Sequence, residues 1–390
     1  MNFELSDLQK ELVERTRLFF EPRAAECHLW YEKPQPETFW KVSRELAEAG
    51  FMGLCLDTEA GGLGLGMFEA CLMIEEASRH DPNAAYIARN ATAGPTAFIA
   101  FLGTAEQRER YVRPVMRGEG ATAICITEPQ AGSDAGAMRT RATRVAGGYR
   151  LNGGKHYITN GKLATSYVVY CQFDAEDGAE KGGIGALILH PGMDGFTVGK
   201  GLATMDGGRI YELYFDDVFV PDAQLLIPGR PDKGSFKRLM SVYNLERLSG
   251  QFRWLGVAQR AFDMARDYLV TREQFGRPLI EFQALQMKLA DMKVKLEAAR
   301  LLLYRAALPP DGGLPRRADV SMGKVVMQEA LKFILDESIQ IHGGAGYCRE
   351  LPLEYFYRMA RMASIAGGSL EVHRGIVASA AVGRKLGNAA

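Results

Sequence analysis

The segment Ile126-Thr-Glu-Pro-Gln-Ala-Gly-Ser-Asp134 holds the residue types that bind an anion or a flat ring. A glycine between small residues lets backbone N–H groups approach a planar or anionic ligand closely. Thr127 and Ser133 add hydroxyls to the same stretch. Taken alone, it also fits an ordinary polar loop. Thr271-Arg-Glu-Gln-Phe-Gly-Arg-Pro-Leu279 offers guanidinium donors, whose planar fork matches phosphate oxygens. Two glycine-rich runs follow, Gln340-Ile-His-Gly-Gly-Ala-Gly346 and Ser364-Ile-Ala-Gly-Gly-Ser-Leu-Glu-Val-His-Arg374. The first also reads as a helix C-cap and tight turn. The six histidines lack H-x-x-x-H or HExxH spacing, and the six cysteines lack C-x-x-C, so no metal site is expected.

Three stretches of different texture must position these segments. Residues 1–120 read as helical: the apolar spacing of Phe3–Val13 is that of a helix, and Ser6 with Gln9 fits a capping box. A second helix is expected over Met67–Ser78, and Asp81-Pro82 breaks the chain before another helical run toward Gly103. Residues 121–229 read as β. Strands are expected at Ala121–Thr127, Tyr167–Phe173, Gly185–Leu189 and Glu212–Val218. Tyr149–Gly161 reads as strand, turn, strand, with Asn-Gly marking the turns. Residues 230–390 return to long amphipathic helices over Asn244–Arg272, Phe282–Ala307 and Arg317–His342, with a last one after Ser369. Together they suggest a four-helix bundle, and Pro309–Pro315 links two of them. The chain does not alternate βαβ, and no G-x-G-x-x-G follows a strand, so a Rossmann domain is a poor reading.

The bulk properties narrow the function. A chain of 390 residues with 47% hydrophobic and 24% charged residues belongs with globular proteins rather than disordered ones. Lys+Arg and Asp+Glu are both 47, so no basic excess points to nucleic acid or an anionic membrane. The scattered cysteines suit buried thiols in a reducing cytoplasm. The sequence begins without a secretory signal pattern, and no stretch is apolar enough to span a bilayer.

The segments resemble those of the acyl-CoA dehydrogenase family, in the family's order and over the whole chain. That resemblance implies an α+β protein: an N-terminal helical domain, a middle β-barrel-like domain and a C-terminal four-helix bundle. It implies FAD as cofactor, with Ile126, Thr127, Gly132 and Ser133 at the flavin and Ser133 also near the CoA chain. Gln130 stands where glycine is commoner. Lys155-His-Tyr-Ile-Thr-Asn-Gly161 resembles the family's Lys-x-Trp-Ile-Thr segment; Tyr157 replaces the commoner tryptophan, and Thr159 would hydrogen-bond the N5 edge. By the same resemblance Arg272 and Phe275 reach the FAD of a neighbouring subunit, Gln340 and Gly344 lie on the adenine side, and Ser369 and Glu371 lie toward the flavin tail. These cross-subunit contacts imply a homotetramer.

The family's reaction removes an α-proton from an acyl-CoA while the β-hydrogen leaves as hydride to flavin N5. Many members place the base, a glutamate, just before Gly-Thr. Here that place is Gly367, whose backbone N–H can donate to the thioester carbonyl but cannot take a proton. A subset that includes isovaleryl-CoA dehydrogenases carries the base on an earlier helix. Tyr243-Asn-Leu-Glu-Arg-Leu248 stands there, which makes Glu246 the candidate base and assigns Tyr243, Asn244 and Arg247 to substrate binding. Glu371 and Asp206 are weaker candidates. Arg89-Asn90 reads either as part of the acyl pocket or as surface polar residues.

The leading expectation is FAD-dependent α,β-dehydrogenation of a short, branched or cyclic acyl-CoA in fatty acid or amino acid catabolism. Electrons would pass to an electron-transfer flavoprotein. The segments also resemble 3-sulfinopropionyl-CoA desulfinases, which share the fold without a base at either position. A flavin-bearing binding protein and an oxidase that reduces oxygen are the remaining classes.

Overall fold

The computed structural model describes residues 4–32, 36–174, 182–309 and 313–386. Its chain contacts form two compact units. One comprises Met1–Glu32, Met67–Tyr86 and Arg247–Ala389; the other comprises Lys33–Gly66 and Ile87–Glu246.

The first unit is helical. Helix Asp7–Phe20 starts with the expected capping box, the Gln9 N–H donating to Ser6 Oγ and the Ser6 N–H to Gln9 Oε1. Two orphan N–H groups are thereby satisfied. Helix Met67–His80 packs against it, with Gln9 Nε2 donating to Glu69 at 2.7 Å. Helices Gln283–Ala307, Arg317–His342 and Leu370–Ala381 lie where expected. Their inward faces carry fully buried Met292, Leu296, Leu303, Val320, Met327 and Leu331. Each such side chain contributes about 1.5–3 kcal/mol relative to exposure. A polar tie crosses this core: Arg300 meets Glu75 at 3.0 Å and Tyr304 donates to the same carboxylate. Burial raises the Glu75 carboxyl above its ordinary value despite Arg300.

The expected start at Asn244 needs correction, because that helix runs from Gly234 to Thr271. Asp232 Oδ1 accepts from the Gly234 N–H at 2.8 Å and satisfies a donor at its start. The sequence reading named neither helix Leu353–Arg361 nor the hairpin that pairs Glu273–Gln274 with Arg277–Pro278, and in the β part it also missed strands Arg141–Val145, Phe196–Val198, Leu202–Ala203 and Leu225–Ile227. In the linker Pro309–Pro315, Pro310–Gly312 lie outside the described residues.

The second unit is built on a sheet of nine strands: β1 Thr122–Cys125, β2 Arg141–Val145, β3 Gly148–Thr159, β4 Ser166–Phe173, β5 Ile184–Leu189, β6 Phe196–Val198, β7 Leu202–Ala203, β8 Arg209–Pro221 and β9 Leu225–Ile227. The order is β6-β8-β3-β2-β4-β5-β9, with β1 also on β4 and β7 also on β8. β4 is buried along nearly its whole length, as its unbroken apolar run Tyr167-Val-Val-Tyr-Cys requires. Leu151, Val169, Leu187, Leu189, Leu213 and Val218 fill the core beside it.

β3 differs from the strand-turn-strand expectation. Asn152-Gly153 does not reverse the chain; it forms an irregularity in the pairing with β8. Gly153 has φ +133°, and a Cβ there would lie 2.8 Å from Thr140 Cα, while Asn152 Oδ1 accepts from the Asp217 N–H. The pair is spent on a bulge and a close approach instead of a hairpin. Only Asn160, at φ +61°, begins a turn.

Candidate functional site

In the second unit, the polypeptide leaves β1 at Cys125 and enters the loop Ile126–Asp134. Glu128 and Ala131 exchange both backbone hydrogen bonds around Pro129-Gln130, which folds the loop back on itself. The Glu128 side chain is buried and held on every side. Lys155 Nζ lies 2.7 Å from Oε1, the Thr140 N–H donates to Oε1 at 3.0 Å, and the Arg139 N–H and Gln130 Nε2 donate to Oε2 at 2.6 Å. Burial would raise this carboxyl, but Lys155 and the donors outweigh it and hold it at about 2. Burial also pulls the Lys155 ammonium below its ordinary value, with Glu128 pulling back. The same ammonium donates to Ile126 O at 3.1 Å, and the His156 N–H donates to Thr127 O at 2.8 Å. A buried ion pair and two hydrogen bonds to main-chain carbonyls thus fix the loop against β3.

What this loop presents suits a flavin. Gly132 and Ser133 are exposed, and a Cβ on Gly132 would meet nothing within 4 Å, so its backbone is open to a ligand. On β3 the bulge between Lys155 and Ile158 turns out both Tyr157, 57% exposed, and Thr159. Tyr157 has φ +59°, a conformation that costs an aromatic residue about 1–3 kcal/mol and persists where the surroundings impose it.

Also in the second unit, Glu246 is a paired carboxylate. Arg89, 5% exposed, donates through Nη2 to Glu246 Oε1 at 2.7 Å and to Glu246 O at 2.5 Å, while its Nη1 reaches Asn90 Oδ1 at 3.1 Å. The surface reading of Arg89-Asn90 is therefore wrong: both are buried, because the carboxylate and the helix carbonyl satisfy the guanidinium inside. Asn244 is buried too, and the Tyr243 ring lies 6.2 Å from that of Phe98. Asp206 is committed elsewhere, accepting from Thr204 Oγ1 and the Gly208 N–H within a turn.

Arg247 belongs to the first unit and meets the double-glycine loop. Its Nε donates to Gly367 O at 2.8 Å. Lys324 Nζ donates to Ala366 O at 2.6 Å and to Gly368 O at 2.7 Å. His373 Nε2 lies 3.2 Å from Gly367 O, and its Nδ1 lies 2.9 Å from Ser321 Oγ. Burial, then Lys324, Arg247 and Arg317, push the His373 imidazole down to about 3, so it is neutral at pH 7. A carbonyl only accepts, so Nε2 carries the hydrogen and Nδ1 accepts from Ser321. Ser369 caps the following helix by accepting from the Val372 N–H, and Glu371 is exposed in its first turn.

The remaining expected cofactor residues lie at one end of the first unit. Phe275 and Gly276 form the two-residue turn of the small hairpin, at φ +53° and +76°, as a type I′ turn needs. Phe275 is 93% exposed, and Arg272 beside it is exposed. Gly343, at φ +59°, ends helix Arg317–His342, so the C-cap reading of that glycine run holds; Gln340 and Gly344 are exposed around it. An open groove of about 750 Å³ runs here, lined among others by Arg260, Tyr268, Thr271, His342 and Leu351.

Three family models match in order: the acyl-CoA dehydrogenase N-terminal domain over residues 6–119, the middle domain over 123–218 and the C-terminal domain over 233–382. The chain belongs to the acyl-CoA dehydrogenase family. Its fold is the family's: a helical N-terminal part, a β middle part and a helical C-terminal part. It is 38% identical to the 3-sulfinopropanoyl-CoA desulfinase of Paraburkholderia xenovorans (strain LB400), over 98% of each chain. Among solved structures it is similar to a glutaryl-coenzyme A dehydrogenase in complex with glutaryl-CoA (30% identity, TM-score 0.90, 98% and 97% of the chains). It is also similar to the glutaryl-CoA dehydrogenase of Mycobacterium smegmatis in complex with FADH2 (25% identity, TM-score 0.88, 98% and 96%). FAD is the cofactor, and the open Gly132 backbone, the Thr127 and Ser133 hydroxyls and the exposed Tyr157 and Thr159 fit it. Among the described residues, no helix is long and apolar enough to cross a membrane.

Sequence reasoning assigned no role to Glu128, Lys155, Lys324 or His373. Lys324 left a readable signal. It stands on the buried stripe of its helix, four residues after Val320 and three before Met327. A lysine on an apolar stripe must have partners inside.

Proposed function

We propose that this flavoenzyme acts on the CoA thioester of a short acyl chain that carries a second acidic group. Desulfination is the leading chemistry: a sulfinate RSO2⁻ and water give RH and HSO3⁻, the C–S bond breaking as carbon gains hydrogen. The buried Arg89 guanidinium carries this reading, because an acidic acyl chain needs a cation inside the protein and Arg89 is one, held by Glu246 until the substrate's acid takes that carboxylate's place. The likeness to a 3-sulfinopropanoyl-CoA desulfinase supports it. So does the likeness to a glutaryl-CoA complex, whose acyl group also ends in an acid.

The second reading is α,β-dehydrogenation, with Glu246 taking the α-proton and electrons passing to an electron-transfer flavoprotein. One observation favours it: a carboxylate stands at 246 while position 367 is glycine. In both readings, FAD supplies a reversible acceptor for an electron pair. Ile126, Thr127, Gly132, Ser133, Tyr157 and Thr159 hold its ring and pyrophosphate, while Ser369 and Glu371 lie toward its tail. Arg272, Phe275, Gln340 and Gly344 serve the adenine side across a subunit boundary. Ser133, Tyr243, Asn244 and Arg247 hold the acyl-CoA, and the Gly367 N–H meets the thioester carbonyl.

Self-association has its own support. Helix Gln283–Ala307 exposes Met287, Val294 and Leu301, 54%, 68% and 50%, at seven-residue spacing opposite its buried face. Such a seam suits a second copy of the chain, as a homotetramer would supply.

The test mixes the holoenzyme anaerobically with 3-sulfinopropionyl-CoA, glutaryl-CoA, butyryl-CoA and isovaleryl-CoA, recording sulfite and flavin absorbance together. Sulfite release from the first establishes desulfination. Flavin bleaching by a saturated acyl-CoA, slowed about 10²–10⁴-fold in Glu246→Gln, establishes the second reading. Neither signal from any thioester refutes both.

A further inference from the structure

The loop Ala366–Gly368 is held by its carbonyls. Gly367 and Gly368 have φ +71° and +97°, and the loop's three successive carbonyls are all taken by nitrogen donors of one cluster. Lys324 takes Ala366 O and Gly368 O, while Arg247 and His373 share Gly367 O. Arg317 adds charge nearby: burial and then Arg247 lower its guanidinium below its ordinary value. A single lysine placed to satisfy its own donors needs no glycine pair and no second cation. Here three side chains from three helices converge on three successive peptide carbonyls, with the Arg317 charge nearby.

The chemistry lies in which peptide groups these are. Ala366 O and the Gly367 N–H are the two ends of one amide. A cation on the oxygen draws the nitrogen lone pair toward the carbonyl and makes the N–H a stronger donor, as happens along any polarised hydrogen-bond chain. Lys324 touches that oxygen at 2.6 Å. The next amide, Gly367 O with the Gly368 N–H, is loaded in the same way by Arg247 and by the neutral Nε2–H of His373.

We propose that Lys324 is a positioning residue that acts through the Ala366–Gly367 amide to strengthen the donor facing the thioester oxygen, with Arg247 and His373 loading the adjacent amide. The inference rests on the reading that the Gly367 N–H receives the thioester carbonyl. In the dehydrogenation reading, when the α C–H bond breaks, its proton goes to Glu246 and its electron pair moves onto the thioester oxygen. A preorganised donor there stabilises that developing charge, and the loss of one such donor typically costs 10²–10³-fold in rate. The charge acts from a side chain that never touches the substrate. It lowers the cost of enolate formation and leaves ground-state binding of the thioester little changed.

Acetoacetyl-CoA tests this directly, because its α-proton is acidic and its enolate absorbs in the ultraviolet. The holoenzyme is titrated with it across pH, and its dissociation constant and apparent enolisation pKa are both read. The wild type is expected to lower that pKa below its value in water. Lys324→Gln, which keeps a donor but removes the charge, should return it upward by more than one unit with less than threefold change in affinity at low pH. Lys324→Arg should restore most of the shift. FAD content and thermal unfolding of both variants identify any that fail to fold, in which case Lys324→Arg and Arg317→Gln carry the comparison, Arg317→Gln being expected to give a smaller rise. If Lys324→Gln and Arg317→Gln both keep the wild-type pKa, the polarising role is overturned. If the wild type binds acetoacetyl-CoA without shifting its pKa, the reading of the Gly367 N–H fails instead.

Discussion

Replacing Lys155 with methionine should unsettle the loop Ile126–Asp134 more than any surface change near it. The substitution strands Glu128, whose side chain is 3% exposed, and removes the bond to Ile126 O. Glu128 stands at about 2 against an ordinary 4.5, a drop that corresponds to about 3 kcal/mol. The desolvation of Lys155 offsets part of that gain, yet removing one partner of a buried pair still costs about 3–5 kcal/mol, because the other is left uncompensated. Lys155→Met should therefore lower unfolding free energy in urea by about 3 kcal/mol and weaken FAD retention. The double variant Glu128→Gln/Lys155→Met should recover part of the loss, since no charge is left buried. The pH dependence has a definite sign. A carboxylate depressed in the folded state contributes stability above about pH 4.5 and loses it as pH falls toward about 2. Wild type should lose stability across that window, and Lys155→Met should lose less of it. A Lys155→Met protein within about 1 kcal/mol of wild type, with full FAD, would refute the account of how this loop is held.

Other perturbations separate the remaining roles. Arg89→Leu should cut kcat/KM for glutaryl-CoA or 3-sulfinopropionyl-CoA by at least about 100-fold, while affecting butyryl-CoA by less than about tenfold, in steady-state assays. Val294→Asp on the exposed seam of helix Gln283–Ala307 should shift the protein to a smaller species in sedimentation, with secondary structure intact by circular dichroism. Glu246→Gln should slow flavin bleaching by any saturated acyl-CoA about 10²–10⁴-fold if that carboxylate is a base, with its binding constant nearly kept.

Much of this molecule was legible in its residues because the signals are local. Ser6 with Gln9, the apolar run of β4 and the stripe of Arg317–His342 each fix an element through neighbours a few residues away. The loop Ile126–Asp134 stood out as a candidate for the same reason, as a contiguous stretch. The partners that give the site its electrostatics were not. Lys155 meets Glu128 across 27 residues, Lys324 meets Ala366 across 42, and Arg89 meets Glu246 across 157. Pairing over such separations is set by tertiary packing, which no periodicity encodes. Asn152-Gly153 shows the converse failure: the dipeptide has turn chemistry, but the close approach of Thr140 and the bond from Asp217 use it for a bulge.

We propose above all that the site processes an acyl-CoA bearing a second acidic group. The ratio of kcat/KM for 3-sulfinopropionyl-CoA to that for butyryl-CoA, measured on the holoenzyme with product analysis, tests it most directly. The expected ratio is at least about 100, since charge-assisted recognition by a buried arginine is worth several kcal/mol. A ratio of one or less would contradict it.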